Sequence, residues 1–134
     1  MTSTVLRTLL DALGRAGYTY RTNTPIGIGP SGARIRAQIL ARSTDGTGIL
    51  LAAHAQRGSG STENKVPFEV ISLAAALEHS RDIASRAYIV LVGTGWTLKD
   101  FYTNGSLEHY LRNTEQIRVI TIDRFLELVS EHRL

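Results

Sequence analysis

Five consecutive apolar residues, Tyr88-Ile-Val-Leu-Val92, constrain the fold more than any other stretch of this chain. A strand with one wet face alternates apolar and polar residues. An unbroken, largely β-branched run instead describes a strand covered on both faces, which a sheet achieves when helices pack on either side. Gly93-Thr-Gly-Trp96 ends the run. Two further strands precede it. Residues 33–41 alternate, with Ala33, Ile35, Ala37, Ile39 and Ala41 on one face and Arg34, Arg36 and Gln38 on the other. Residues 49–55 supply the partner strand, and Ser43-Thr-Asp-Gly-Thr-Gly48 has the composition of the hairpin turn between them, with Asp45 in a conformational role.

Helical spacing fills the remainder. Val5, Leu6, Leu9, Leu10 and Leu13 recur at helical intervals over residues 3–16, with Gly17 as a stop signal. A helix beginning between 62 and 67 carries Val70, Ile71, Leu73, Ala74 and Leu77, and its Pro67 fits only the first turn. A short helix around 106–112, capped by Ser106, precedes a strand at 117–121. A last helix from about Asp123 packs Phe125, Leu126 and Val129. Residues 21–32 are rich in turn formers and read as a loop. Gly27-x-Gly29-x-x-Gly32 lies within it and formally matches a dinucleotide fingerprint, but Pro30 interrupts the pattern and a strand, not a helix, follows. The order predicts an α/β fold: a central mixed sheet, built from an antiparallel hairpin plus parallel strands and flanked by helices, in a single domain over residues 1–134.

With no cysteine, disulfides and thiolate zinc sites are excluded. No segment has the length and apolarity of a membrane span, and the N-terminus lacks a basic-then-apolar leader, so a soluble cytoplasmic protein is the expectation. The net charge of +3 says less than its distribution. Between residues 12 and 62 stand Arg15, Arg21, Arg34, Arg36, Arg42 and Arg57 against a single acid, Asp45. A half so poor in negative charge attracts phosphate.

Residues 48–68, Gly-Ile-Leu-Leu-Ala-Ala-His-Ala-Gln-Arg-Gly-Ser-Gly-Ser-Thr-Glu-Asn-Lys-Val-Pro-Phe, run from an apolar strand through a Gly/Ser-rich loop into a helix. This segment resembles the core of the PD-(D/E)XK restriction-endonuclease-like nucleases, in which a strand ends in Glu-x-Lys-x-Gln and a Ser-Gly-Ser-x-x-Glu-Lys-x-Pro-like stretch follows. The resemblance extends from about residue 33 to the C-terminus, through Gly93-Thr-Gly-Trp96-Thr97, Phe101–Leu111 and Val119–Phe125. It implies a nuclease fold, Mg²⁺ as the cofactor of an active member, and nucleic acid, DNA before RNA, as partner. It also implies no membrane association, and either a second copy or a larger defence or mobile-element complex as protein partner.

The family register places Ala52 where the catalytic Glu is expected, His54 where the Lys is expected, and Gln56 on the family's Gln. Gln38, or its neighbour Ala37, stands where the Asp is expected. These substitutions imply a nucleic-acid-binding domain whose metal-dependent hydrolysis is lost or strongly altered. The alternative is a rearranged catalytic site of Gln38, His54, Gln56, Glu63 and Lys65, with Glu63 as metal ligand, since some family members carry a catalytic residue on the following helix. A third reading is a structural or protein-interaction subunit. The expected nucleic-acid contacts are Arg34, Arg36, Arg57, Gly58, Ser59, Ser61, Lys65, Trp96 and Lys99. The 56–62 loop offers glycines, hydroxyls and N–H groups to phosphate, and Trp96 either meets a nucleotide or caps the sheet edge. His79, His109 and His132 lack metal-like spacing and read as surface residues.

Overall fold

The computed structural model describes residues 3–56, 58 and 60–134, so Arg57 and Ser59 of the expected phosphate loop lie outside the described residues. Five strands form one sheet in the order β1 (Thr19–Ile28), β2 (Arg34–Arg42), β3 (Gly48–Ala55), β4 (Arg86–Val92) and β5 (Ile117–Thr121). β1, β2 and β3 pair antiparallel, and β3, β4 and β5 pair parallel. The predicted mixed α/β sheet is therefore the observed one. β4, the apolar run, sits between two parallel neighbours and is buried on both faces.

Each face has its own helical cover. On one, Val66, Val70, Leu73 and Leu77 of α2 (Val66–His79) pack with Leu50, Ile89 and Leu91 of the sheet and with Tyr102 of α3 (Lys99–Thr103). On the other, Leu9 and Leu13 of α1 (Ser3–Arg15) and Phe125, Leu128 and Val129 of α4 (Ile122–Ser130) cover Ile49, Leu51, Tyr88 and Val90. Successive β4 residues thus feed alternate cores, which is why the run needs no polar member. A 3₁₀ turn at Ser61–Lys65 leads into α2, with Pro67 in the first turn, where its missing N–H costs nothing.

Three sequence expectations are corrected. Residues 21–28 belong to β1 and are not loop. β1 is an edge strand, so Pro25 interrupts no inner ladder, and the extra residue at Ile26 is absorbed as a bulge between Pro25 and Gly27. Secondly, the helix expected at 106–112 is displaced to 99–103, and only a 3₁₀ turn forms at Glu108–Tyr110. Gly105 at φ +92° breaks the chain direction, and Ser106 donates its N–H (2.9 Å) and hydroxyl (2.6 Å) to Asn104 Oδ1, closing a turn where a helix cap was expected. Thirdly, the single alternating face over 33–41 changes side at Gln38. Ile35 and Ala37 pack with the α2 core, whereas Ile39 and Ala41 pack with the α1/α4 core. Asp45 does serve the hairpin turn, accepting from Thr47 N–H (3.0 Å) and the Ser43 hydroxyl, and these bonds hold its carboxyl down at about 2.

Candidate nucleic-acid interface

The change of side at Gln38 opens the candidate site. β2 and β3 pair from Arg42↔Gly48 to Ile39↔Leu51 and then separate. At the point of separation the Gln38 amide takes over from the ladder. Its Oε1 accepts from Ala53 N–H at 3.0 Å and its Nε2 donates to Ala53 O at 3.3 Å, so one side chain replaces a peptide group. Freed from β3, the first half of β2 swings away and leaves a cleft of about 590 Å³. Its walls are Arg34–Gln38 with the preceding turn on one side and Asn64, Lys65, Phe68, Glu69 and Ser72 on the other, over a floor of Leu50, Leu51 and Ala52.

His54, next to the cleft on β3, brings its Nε2 to 2.6 Å from Glu69 Oε2. The two side chains are 20% and 24% exposed, so the pair is only partly wet. The carboxylate fixes the imidazole's orientation, and the pair lacks the permanent positive charge of a lysine. Glu69 was not among the residues singled out from the sequence. The signal lay in helical spacing: Lys65, Glu69 and Ser72 follow i, i+4, i+7 along the cleft side of α2, while Val66, Val70, Leu73 and Leu77 turn inward.

Gln56 and Glu63 occupy a different place, behind the strand ends. Gln56 is 6% exposed and Glu63 4%. Gln56 N–H donates to Val92 O at 2.9 Å and its carbonyl accepts from Gly95 N–H at 2.8 Å. Its side-chain amide donates to Gly95 O at 2.8 Å and accepts from Glu63 N–H at 3.2 Å. The Glu63 carboxylate accepts the Thr97 hydroxyl (2.6 Å) on one oxygen and Leu98 N–H (2.7 Å) on the other, and Tyr102 OH donates to Glu63 O at 2.6 Å. The Thr97 hydroxyl is the main reason the Glu63 pKa lies below its ordinary value, outweighing desolvation, with the Leu98 N–H adding to it. Burial, then the Glu63 charge, raises that of Tyr102. Gly93 makes this join close: at φ +99° it comes so near Gln56 that a Cβ there would stand 2.5 Å from the Gln56 carbonyl oxygen.

Glu63, expected as a metal ligand, and Gln56, expected as catalytic, are both buried and tie the β3 end to the loop after β4. Mg²⁺ takes near-octahedral oxygen coordination with one or more carboxylates facing the substrate. Among the described residues the cleft offers one carboxylate, Glu69, already against His54, and no group of three or more His, Cys, Asp or Glu is placed to hold a metal ion. The donor set does not fit the cofactor that the fold family uses.

The expected nucleic-acid contacts divide. Arg34 and Lys65 face each other across the cleft, and Gly58 and Ser61 are exposed in the loop before α2. Lys99 is exposed at the start of α3. Arg36 lines the cleft but turns its guanidinium to Asn23, donating to Oδ1 at 2.9 Å and to the carbonyl at 2.8 Å. Trp96 is 7% exposed and donates its indole N–H to Val92 O at 2.9 Å, so it caps the sheet and offers no face to a base.

No protein-family model and no curated protein matches the chain. Among solved structures it is similar to the small subunit of the heterodimeric restriction endonuclease R.BspD6I, at 20% identity and a TM-score of 0.50, over 94% of this chain. The chain spans 66% of that subunit's length, slightly under two thirds. At this identity the likeness is one of fold: the chain has a restriction-endonuclease-like core.

Proposed function

We propose that this restriction-endonuclease-like domain binds nucleic acid, DNA before RNA, without metal-dependent hydrolysis of its own. The observation that carries this is the fate of the three acid or lysine positions that the fold family uses. Gln38 spends its amide on the Ala53 backbone, Ala52 is a bare floor residue, and His54 is paired with Glu69. What remains at the cleft is positive and hydrogen-bonding: Arg34 and Lys65 on the walls, and the exposed Gly/Ser-rich loop leading into them. Such groups grip phosphates and do not assemble a metal-bound nucleophile. Arg57, next to Gly58 in sequence, is a further candidate cation outside the described residues.

The alternative of an active enzyme with Glu63 and Lys65 loses its support with Glu63 buried among Thr97, Leu98 and Tyr102. A role as subunit of a larger assembly is compatible with binding. It is favoured by a pair of exposed aromatic rings, Phe101 stacked on Tyr110 with centroids 6.3 Å apart, neither of which lines the cleft. The solved neighbour is itself a subunit of a heterodimer. A cytoplasmic setting follows from the same proposal; no helix among the described residues is long and apolar enough to cross a membrane.

Fluorescence anisotropy of labelled oligonucleotides over a salt series tests the binding. Affinity is expected to fall linearly on a log–log plot with added salt, and Lys65→Ala and Arg34→Ala are each expected to lower the slope by about 1. Salt-independent binding, or none at low salt, contradicts the proposal.

A further inference from the structure

We infer that the cleft between β2, β3 and α2 takes a single unstacked nucleobase, so that the preferred substrate is a single strand or an extruded nucleotide and not an intact duplex. This rests on the nucleic-acid function proposed above and names the chemistry of its ligand.

A groove that held only phosphates would be lined by donors throughout. This one has an apolar interior made by Ile35, Ala37, Leu50, Ala52 and Leu73, and of its three lining cations Arg36 is held by Asn23, leaving Arg34 on the β2 side and Lys65 on the α2 side. Phe68 lines the α2 wall and is nevertheless 61% exposed, far more than the other large apolar residue exposed on that helix, Ile71, at 39%. An exposed aromatic ring in a cleft that also carries cations is an arrangement in which a base stacks while its flanking phosphates are neutralised. Asn64, exposed on the same wall, brings an amide that can donate to and accept from a base edge. The volume of about 590 Å³ lies within the range of sites that enclose small organic groups, roughly 300–1,000 Å³.

The same cleft disfavours a paired base. The cleft is a gap between two separating strands and a helix, and a base reaches its interior only when free of its partner and its neighbours. Gln38 keeps the gap from closing: with its amide satisfying Ala53, β2 has no ladder bond to gain at this step by returning to β3.

The test uses the full chain and three labelled probes of equal length: a thymidine single strand, the same strand with abasic sugar-phosphates at its centre, and the matched duplex. The single strand is expected to bind at least about tenfold more tightly than either of the others. Phe68→Ala is expected to cost it roughly five- to a hundredfold, leaving the abasic probe unchanged. Phe68 is exposed, so the variant should fold, and its circular dichroism and unfolding midpoint verify this. Equal binding of all three probes, a preference for the duplex, or indifference to Phe68→Ala overturns base insertion while leaving nucleic-acid binding in place. No binding of any probe at low salt overturns both.

Discussion

Gln38 performs with a side chain what a peptide group would otherwise do, and the cleft depends on it. Removing the amide leaves Ala53 N–H and C=O without their partner at a partly buried strand position. Gln38→Ala is expected to destabilise the fold by roughly 1–3 kcal/mol, read by urea unfolding, and a neutral result contradicts the role given to the amide. Glu63 offers a pH test. Its carboxyl titrates below the ordinary value of 4.5 in the folded chain, so the ionised form stabilises the native state above that pH, and this contribution disappears as pH falls through the lowered value. Glu63→Gln should therefore lower the thermal midpoint by several degrees at neutral pH, and the gap to the parent should close below about pH 4.5. A gap that stays constant into acid would place the Glu63 effect in packing alone. Both residues were visible in the sequence as site candidates. Their roles were not, because a polar residue at a strand end reads the same whether its partner is backbone or substrate.

At the scale of elements, what could be read was whatever left a periodic trace. The run at 88–92, the hairpin at 34–55 and the apolar positions of α2 and α4 have burial on definite sides, and the pattern follows burial. β1 left no such trace. As an edge strand it has Thr19, Tyr20, Arg21, Thr22, Asn23 and Pro25 all exposed, with Ile26 as its one deeply buried residue, so composition suggested a loop. The flip at Gln38 was hidden for the opposite reason, since Ala37 and Ile39 look alike in sequence and go to different cores. The join between the β3 end and the loop after β4 is another tertiary event without a sequence period. It rests on Gly93 at φ +99° against the Gln56 carbonyl. Gly93→Ala is expected to cost on the order of 1–3 kcal/mol from backbone strain alone, with the clash adding to it. Unfolding at the parent's midpoint would show the approach to be looser than described.

For the whole molecule, a restriction-endonuclease-like core carries a cleft lined by cations, amides and apolar side chains. The sheet order and the two helical layers place β2, β3 and α2 around that cleft. The sequence resemblance pointed to residues 48–68, part of which lines this cleft, while Glu69 stands one residue beyond that segment, on α2. On this reading the surface holds nucleic acid and does not cut it. Incubating the chain with plasmid and labelled single-stranded DNA in Mg²⁺ or Mn²⁺, and running each sample on native and denaturing gels, tests that claim most directly. Retarded migration is expected on the native gel with intact strands on the denaturing one, with or without metal. Strands cut only when metal is present, and left whole by Glu69→Ala or Lys65→Ala, would contradict it.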